Sequence, residues 1–177
     1  MRLGKQDVKS GCTVLGILLV GTSCLTAAEE KPVATPFVFR DVAAEVGLTE
    51  SLRGMMGHAA AWGDVDGDGF LDLFVGTFAD RPPALYQKGG AKGPVPNMLF
   101  LQRRGKFELS PQKAIAWHGR ASGAVFADLD NDGLPELYVT NNGHLGKGNL
   151  LYHNKGSGRF EPVTDQAGAP SRFEFRC

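Results

Sequence analysis

The sequence predicts an all-β chain built of four-stranded antiparallel blades, about two of them, as an incomplete β-propeller. Three observations predict this. Glycine supplies 24 of the 177 residues and proline 10, a turn-rich composition with glycine at about twice its usual share. An acidic strand–loop–strand segment occurs twice, 64 positions apart. Each copy is followed by two more short apolar runs joined by a glycine turn, which makes four strands in a repeat of roughly 50–65 residues, the grain of a propeller blade.

The composition also excludes some functions. Hydrophobic residues make up 42% of the chain, enough for a core and against wholesale disorder. The 19 basic and 19 acidic residues cancel, which argues against a broadly basic nucleic-acid binder.

The N-terminal segment reads as a leader. Arg2, Lys5 and Lys9 stand against the single acid Asp7, the run Val14–Val20 is apolar, and Thr26-Ala27-Ala28 precedes Glu29-Glu30. A basic start, a short apolar core and small residues at a cleavage point specify a secretory signal peptide over residues 1–28. The run is too short to span a bilayer comfortably. The expected location is therefore secreted or cell-envelope (periplasmic), with no transmembrane span after cleavage. Lipid anchoring at Cys24 is the alternative, disfavoured because Gly21 stands three places before it, where a lipobox prefers Leu. Cleavage removes Cys12 and Cys24 and leaves only Cys177. No intrachain disulfide can then brace these small units, and a metal is the natural substitute.

The repeat fixes the organisation of the rest. Ala61–Val75 (AWGDVDGDGFLDLFV) aligns with Val125–Val139 (VFADLDNDGLPELYV), and Asn97–Leu101 with Asn149–His153. A looser pair is Phe39–Gly47 with Phe160–Gly168. The first unit with its lead-in is placed at 37–109, the second at 110–168, and a truncated tail at 169–177. The expected strands are 59–63, 71–76, 97–102 and 106–109, then 123–127, 136–140, 149–154 and 159–163. In the second of these, Leu71, Leu73 and Val75 are read as one face, alternating with Asp72 and Phe74. Ala79–Pro96, with Pro82-Pro83, Gly89-Gly90 and Gly93-Pro94, reads as a long loop. Asp41–Val46 suits a short helical turn. From Gly47 to the first acidic loop is 17 positions, and the same step from Gly168 passes the end of the chain. The sequence is thus expected to be a fragment of a longer propeller.

The acidic loops carry the chemistry. Asp64, Asp66, Asp68 and Asp72 fall at loop positions 1, 3, 5 and 9, as do Asp128, Asp130, Asp132 and Glu136. Gly69 and Gly133 hold position 6, where a sharp turn needs positive φ. Alternate residues of a curled loop turn their oxygens inward, so four carboxylates are expected to meet, and like charges that close call for a cation. Carboxylate and carbonyl oxygens suit Ca²⁺, and the backbone carbonyls of Phe70 and Leu134 at position 7 would complete each shell. Neither loop contains His or Cys, which argues against zinc or copper. An EF-hand needs a Glu at position 12 and flanking helices. Here position 12 is Val75 or Val139 and strands flank the loops.

These motifs resemble the FG-GAP/VCBS repeats of integrin α-chain propellers and of many secreted bacterial proteins. "WGDVDGDGFLDLFV" and "FADLDNDGLPELYVTNNG" are similar to that family's core, and "NLLYHNKGSGRF" and "FRDVAAEVGL" to bacterial cartilage-acidic-protein-like proteins with a C-terminal ASPIC domain. The likeness covers roughly Phe37–Gly168. It implies propeller blades with Ca²⁺ in the blade loops. It carries over Asp64, Asp66, Asp68, Phe70, Asp72, Asp128, Asp130, Asp132 and Leu134, whereas Glu136 stands where the family has Asp.

The expected function is that of a secreted calcium-binding propeller segment with two structural Ca²⁺ sites, serving adhesion or the binding of an extracellular protein or carbohydrate, and not an enzyme. The alternative is a fragment of a propeller-based extracellular hydrolase or lyase. Its candidates would be His58, His118, His144 and His153, but no nucleophile motif accompanies them and all four are expected in solvent-facing loops. Trp62, Trp117 and Phe126 can be read as a sugar-stacking face, although aromatics beside strands are more often core. Arg103-Arg104 is expected as a solvated hairpin turn.

Overall fold

Eight strands pair in the order in which they occur. In the computed structural model, which describes residues 37–142 and 148–168, β1 (Gly57–Gly63), β2 (Asp72–Thr77), β3 (Met98–Arg103) and β4 (Lys106–Leu109) form one sheet. β5 (Ala121–Ala127), β6 (Glu136–Asn141), β7 (Leu150–Asn154) and β8 (Phe160–Pro162) form the second. Every neighbouring pair is antiparallel. The described residues are all-β apart from one short helix, two blades of the propeller type. The segment 1–28 read as a leader, with Cys24, together with His144 and residues 169–177, lies outside the described residues.

The repeat seen in the sequence is a repeat of register. Trp62 faces Leu73 in the first sheet as Phe126 faces Leu137 in the second. Leu73 pairs with Phe100 as Leu137 pairs with Tyr152. Both first strands carry an irregularity near their start, between Gly57 and Ala59 and between Ala121 and Gly123.

The core lies between the sheets. Ala59, Ala61, Phe74 and Leu99 of the first meet Ala121, Leu137, Val139, Tyr152 and Phe160 of the second, with Val65 and Ile115 closing the cluster. Small residues at the contact let the backbones approach. A Cβ on Gly76 would stand 2.6 Å from the Ala121 Cβ, and one on Gly63 would stand 3.0 Å from the Phe126 side chain.

The expected alternation in β2 divides Leu73 and Val75 from Phe74 by face, but neither face is left to solvent. Asp72, Leu73, Phe74, Gly76 and Thr77 are all buried, while Leu71 precedes the strand and is exposed. The reason is a second apolar cluster on the other face. There Leu73 and Phe100 pack with Leu48, backed by Ala43, Val46 and Leu52. The lead-in forms that cover through the expected helical turn, in which the Val46 N–H donates to the Val42 carbonyl at 3.0 Å and the Asp41 carboxylate accepts from the Ala43 N–H at 2.9 Å.

The loop expected over 79–96 contains a short helix, α1 (Pro83–Lys88). Proline is favourable in a first helical turn, where its missing N–H is not needed. Tyr86 is fully buried, donating its hydroxyl to the Phe78 carbonyl at 2.8 Å and accepting from the Arg81 N–H at 2.9 Å. That anchor explains why a segment rich in glycine and proline still folds. Trp62, placed by its strand setting in the core, is 53% exposed and meets Phe107 edge-on at 5.9 Å.

Candidate metal centre

Both acidic loops link the first and second strands of a blade, β1 to β2 and β5 to β6, so they occupy the same end of each sheet. The first loop winds around Asp64. Its Oδ1 accepts the N–H groups of Gly67 at 2.8 Å and Asp68 at 3.1 Å, and its Oδ2 that of Gly69 at 2.9 Å. Such a wrap requires left-handed backbone, supplied by Gly67 at φ 77° and Gly69 at φ 87°. In the second loop Gly133 repeats φ 87°, and Asn131 takes φ 61° where the first loop has Gly67. Asparagine is among the few non-glycine residues that visit this region readily.

The position-9 carboxylates are buried clamps. Asp72 is 0% exposed; its Oδ2 accepts from the Val65 N–H at 2.9 Å and its Oδ1 from the Gln102 N–H at 2.8 Å. Burial pushes its pKa above the usual carboxylate value. The two backbone donors work against that rise, and the neighbouring Asp66 and Asp68 charges add to it. Glu136, 4% exposed, repeats the clamp: Oε2 accepts from the Leu129 N–H at 2.8 Å and Oε1 from the Asn154 N–H at 3.4 Å. The extra methylene thus keeps the first bond and lengthens the second.

Three carboxylates converge in each loop rather than four. Asp64, Asp66 and Asp72 bring oxygens within 4.8 Å of one another, and so do Asp128, Asp130 and Glu136. The position-5 residues stand apart from these triads. Asp68 turns one oxygen to the Phe70 N–H at 3.0 Å and the other to Arg103 Nη1 at 3.0 Å. Asp132 accepts from the Leu134 N–H at 2.8 Å and groups instead with Asp130 and His153. Phe70 and Leu134 therefore sit at the loop exits with their peptide N–H groups held by the position-5 carboxylates.

Two contributors escape a reading along the sequence. Arg103, expected in a solvated turn, ends β3 and pairs with Asp66 through Nη2 and with Asp68 through Nη1. The hydrogen bond to Asp66 strengthens its hold on its proton. His153, expected in a solvent-facing loop, is in β7 and places Nδ1 3.1 Å from Glu136 Oε1 and 3.6 Å from Asp130 Oδ2. Neither loop contains a histidine, yet the neighbouring strand brings one to the second. The only signal for either residue was its closeness to the end of a third strand, which follows the loop by about 30 residues in the first unit. His58 and His118 are exposed and stand apart from the clusters, His58 stacking on Phe78 with centroids 3.7 Å apart.

Within the acidic loops, one buried side-chain oxygen lacks a donor. The Asp66 side chain is 7% exposed; its Oδ2 faces Arg103, whereas its Oδ1 has no hydrogen-bond partner. A buried carboxylate oxygen without a donor is costly, and a hard cation held among Asp64, Asp66 and Asp72 would relieve that cost. The donor set is oxygen throughout, the set that calcium prefers.

Comparison with protein families agrees with the repeat. Residues 56–90 match the family described as FG-GAP repeat, and residues 84–139 match the FG-GAP-like repeat. Each match contains one of the two acidic loops. No curated protein matches the chain. Residues 56–139 thus carry FG-GAP-type repeats, with acidic clusters that could hold a metal ion. Among the described residues, no helix is long and apolar enough to cross a membrane.

Proposed function

We propose that this chain is a secreted, calcium-binding segment of propeller blades that serves adhesion or the recognition of an extracellular protein or carbohydrate, with calcium in a structural role. The observation that carries the reading is the convergence of Asp64, Asp66 and Asp72, one of which, Asp66, keeps a buried oxygen without a donor. Calcium supplies positive charge where the folded chain gathers negative charge. The residues do the rest: Asp64 curls the loop, Asp72 fastens it to β3, and Glu136 performs the same service in the second blade.

Magnitudes support a structural role. Extracellular calcium modules bind at ~10⁻⁴–10⁻³ M. At about 1 mM calcium, each site then adds about 0.4–1.4 kcal/mol of stability by mass action. That is a useful increment for two blades without a disulfide.

The test is thermal unfolding of the whole chain in 1 mM calcium and in chelator, with Asp66→Ala alongside. Calcium should raise the melting temperature of the parent by a few degrees, and Asp66→Ala should lose the share due to the first loop. Equal melting temperatures for the parent in both buffers would overturn the reading.

A further inference from the structure

We propose that Arg103 is a resident counter-cation of the first acidic loop that competes with a divalent ion for Asp66, so that the third strand helps to set that loop's calcium affinity. The inference rests on the calcium-binding reading and adds to it a residue that sets affinity. The guanidinium bridges Asp66 and Asp68, and its Nη1 also donates to the Gln102 carbonyl at 2.9 Å, which fixes it to the end of β3. One of the two oxygens of Asp66 is thereby neutralised by a side chain, and Asp68 is drawn out of the carboxylate triad. The oxygen that Arg103 does not reach, Asp66 Oδ1, is the one left buried and unpartnered. The arginine therefore satisfies the loop only in part. A divalent ion entering the triad competes with it for Asp66.

The second blade lacks this device. Leu73 pairs with Phe100 as Leu137 pairs with Tyr152, so the residue equivalent to Arg103 is Lys155. Its ammonium faces Glu161 at 3.9 Å and not the loop. Among the described residues, no Lys or Arg forms an ion pair with Asp128, Asp130, Asp132 or Glu136; the basic group there is His153. A planar fork reaches two carboxylates together in a way that an ammonium at the equivalent position does not. The loops have thus diverged through their third strands as well as at position 9, where Glu136 replaces Asp72.

Displacing a partly exposed ion pair lowers an affinity by about twofold to fivefold. Removing Arg103 should raise it by the same factor. The experiment is calorimetric titration of calcium into the full chain as the parent, as Arg103→Gln, and as both in a Glu136→Gln, Asp130→Asn background that silences the second loop. The expected result is tighter calcium binding in Arg103→Gln, with a lower melting temperature in chelator because the acids have lost their counter-cation. Arg103→Lys, which keeps the charge but not the fork, should fall between the two and guards against a folding defect in the glutamine variant. Equal calcium affinity in the parent and both variants overturns this proposal and leaves the calcium reading standing. No calcium binding by the parent overturns both.

Discussion

The side-chain amide of Asn154, at the end of β7, donates to the Val65 carbonyl at 2.9 Å across the interface between the two blades. Val65 is the second residue of the first acidic loop and is completely buried. Its N–H is held by Asp72, and its carbonyl also receives the Gly158 N–H at 3.2 Å. The same Asn154 amide donates to the Pro135 carbonyl of the second loop at 3.2 Å. One residue thus ties the two acidic loops together, and the first loop takes its shape partly from the neighbouring blade.

Asn154→Ala should accordingly act at a distance. It removes the side-chain donor to two loop carbonyls, one of them buried, and should cost about 1–3 kcal/mol. Urea unfolding in chelator reads this as a lower midpoint with an unchanged slope. Because the Val65 peptide orients the start of the first loop, calcium-dependent stabilisation should shrink as well. A variant with the parent's midpoint would show that Gly158 alone suffices.

Asp72→Asn tests the clamp without changing its shape. Both Asp72 oxygens accept backbone N–H groups, and asparagine must turn an N–H₂ toward one of those donors. The opposed pair leaves a buried donor unsatisfied, at about 1–3 kcal/mol. The loss should persist in chelator, which separates the fastening of the loop to β3 from any contribution of bound metal.

How much of this was legible in the sequence depended on whether the information was local. The strand–loop–strand core lies in one stretch, so the spacing of Asp64, Asp66, Asp68 and Asp72 and the turn glycines announced it, and Gly69 and Gly133 take the positive φ their position demands. Arg103 and His153 reach the loops across a ladder, and only pairing β2 with β3, or β6 with β7, brings them there. The burial of Leu73 and Phe74 on opposite faces of β2 was hidden for the same reason. A period of two assumes one solvated face, while the lead-in around Leu48 covers the other. Helix α1 was masked by its glycine and proline flanks; its determinant is the burial of Tyr86, a tertiary effect.

Gly76→Ala should disturb the interface between the blades. The added methyl would stand 2.6 Å from the Ala121 Cβ and 2.9 Å from the Ala59 Cβ, closer than packed carbons approach. Overpacking of this kind costs about 1–3 kcal/mol. Because much of the clash is with a single methyl, Ala121→Gly in the same chain should restore part of the loss. Additive destabilisation in the double variant would place the strain elsewhere.

The last prediction concerns alkaline pH. Tyr152 is buried in the core between the sheets, and burial pushes its phenol up to about 12. On a strand its side chain points away from that of the adjacent His153, so the acidic loop does not drive the shift. An unfolded tyrosine titrates near pH ~10. Between about pH 10 and 12 the native state therefore keeps a proton that the unfolded chain has released. The stability Tyr152 contributes is fully present below about pH 10 and is lost as pH rises through 12, by about 3 kcal/mol at most. Tyr152→Phe keeps the ring and removes the proton. Its urea midpoint should fall less steeply than the parent's across that window, with the two curves separating only above about pH 10. Parallel curves throughout would show that the phenol ionises without leaving the core.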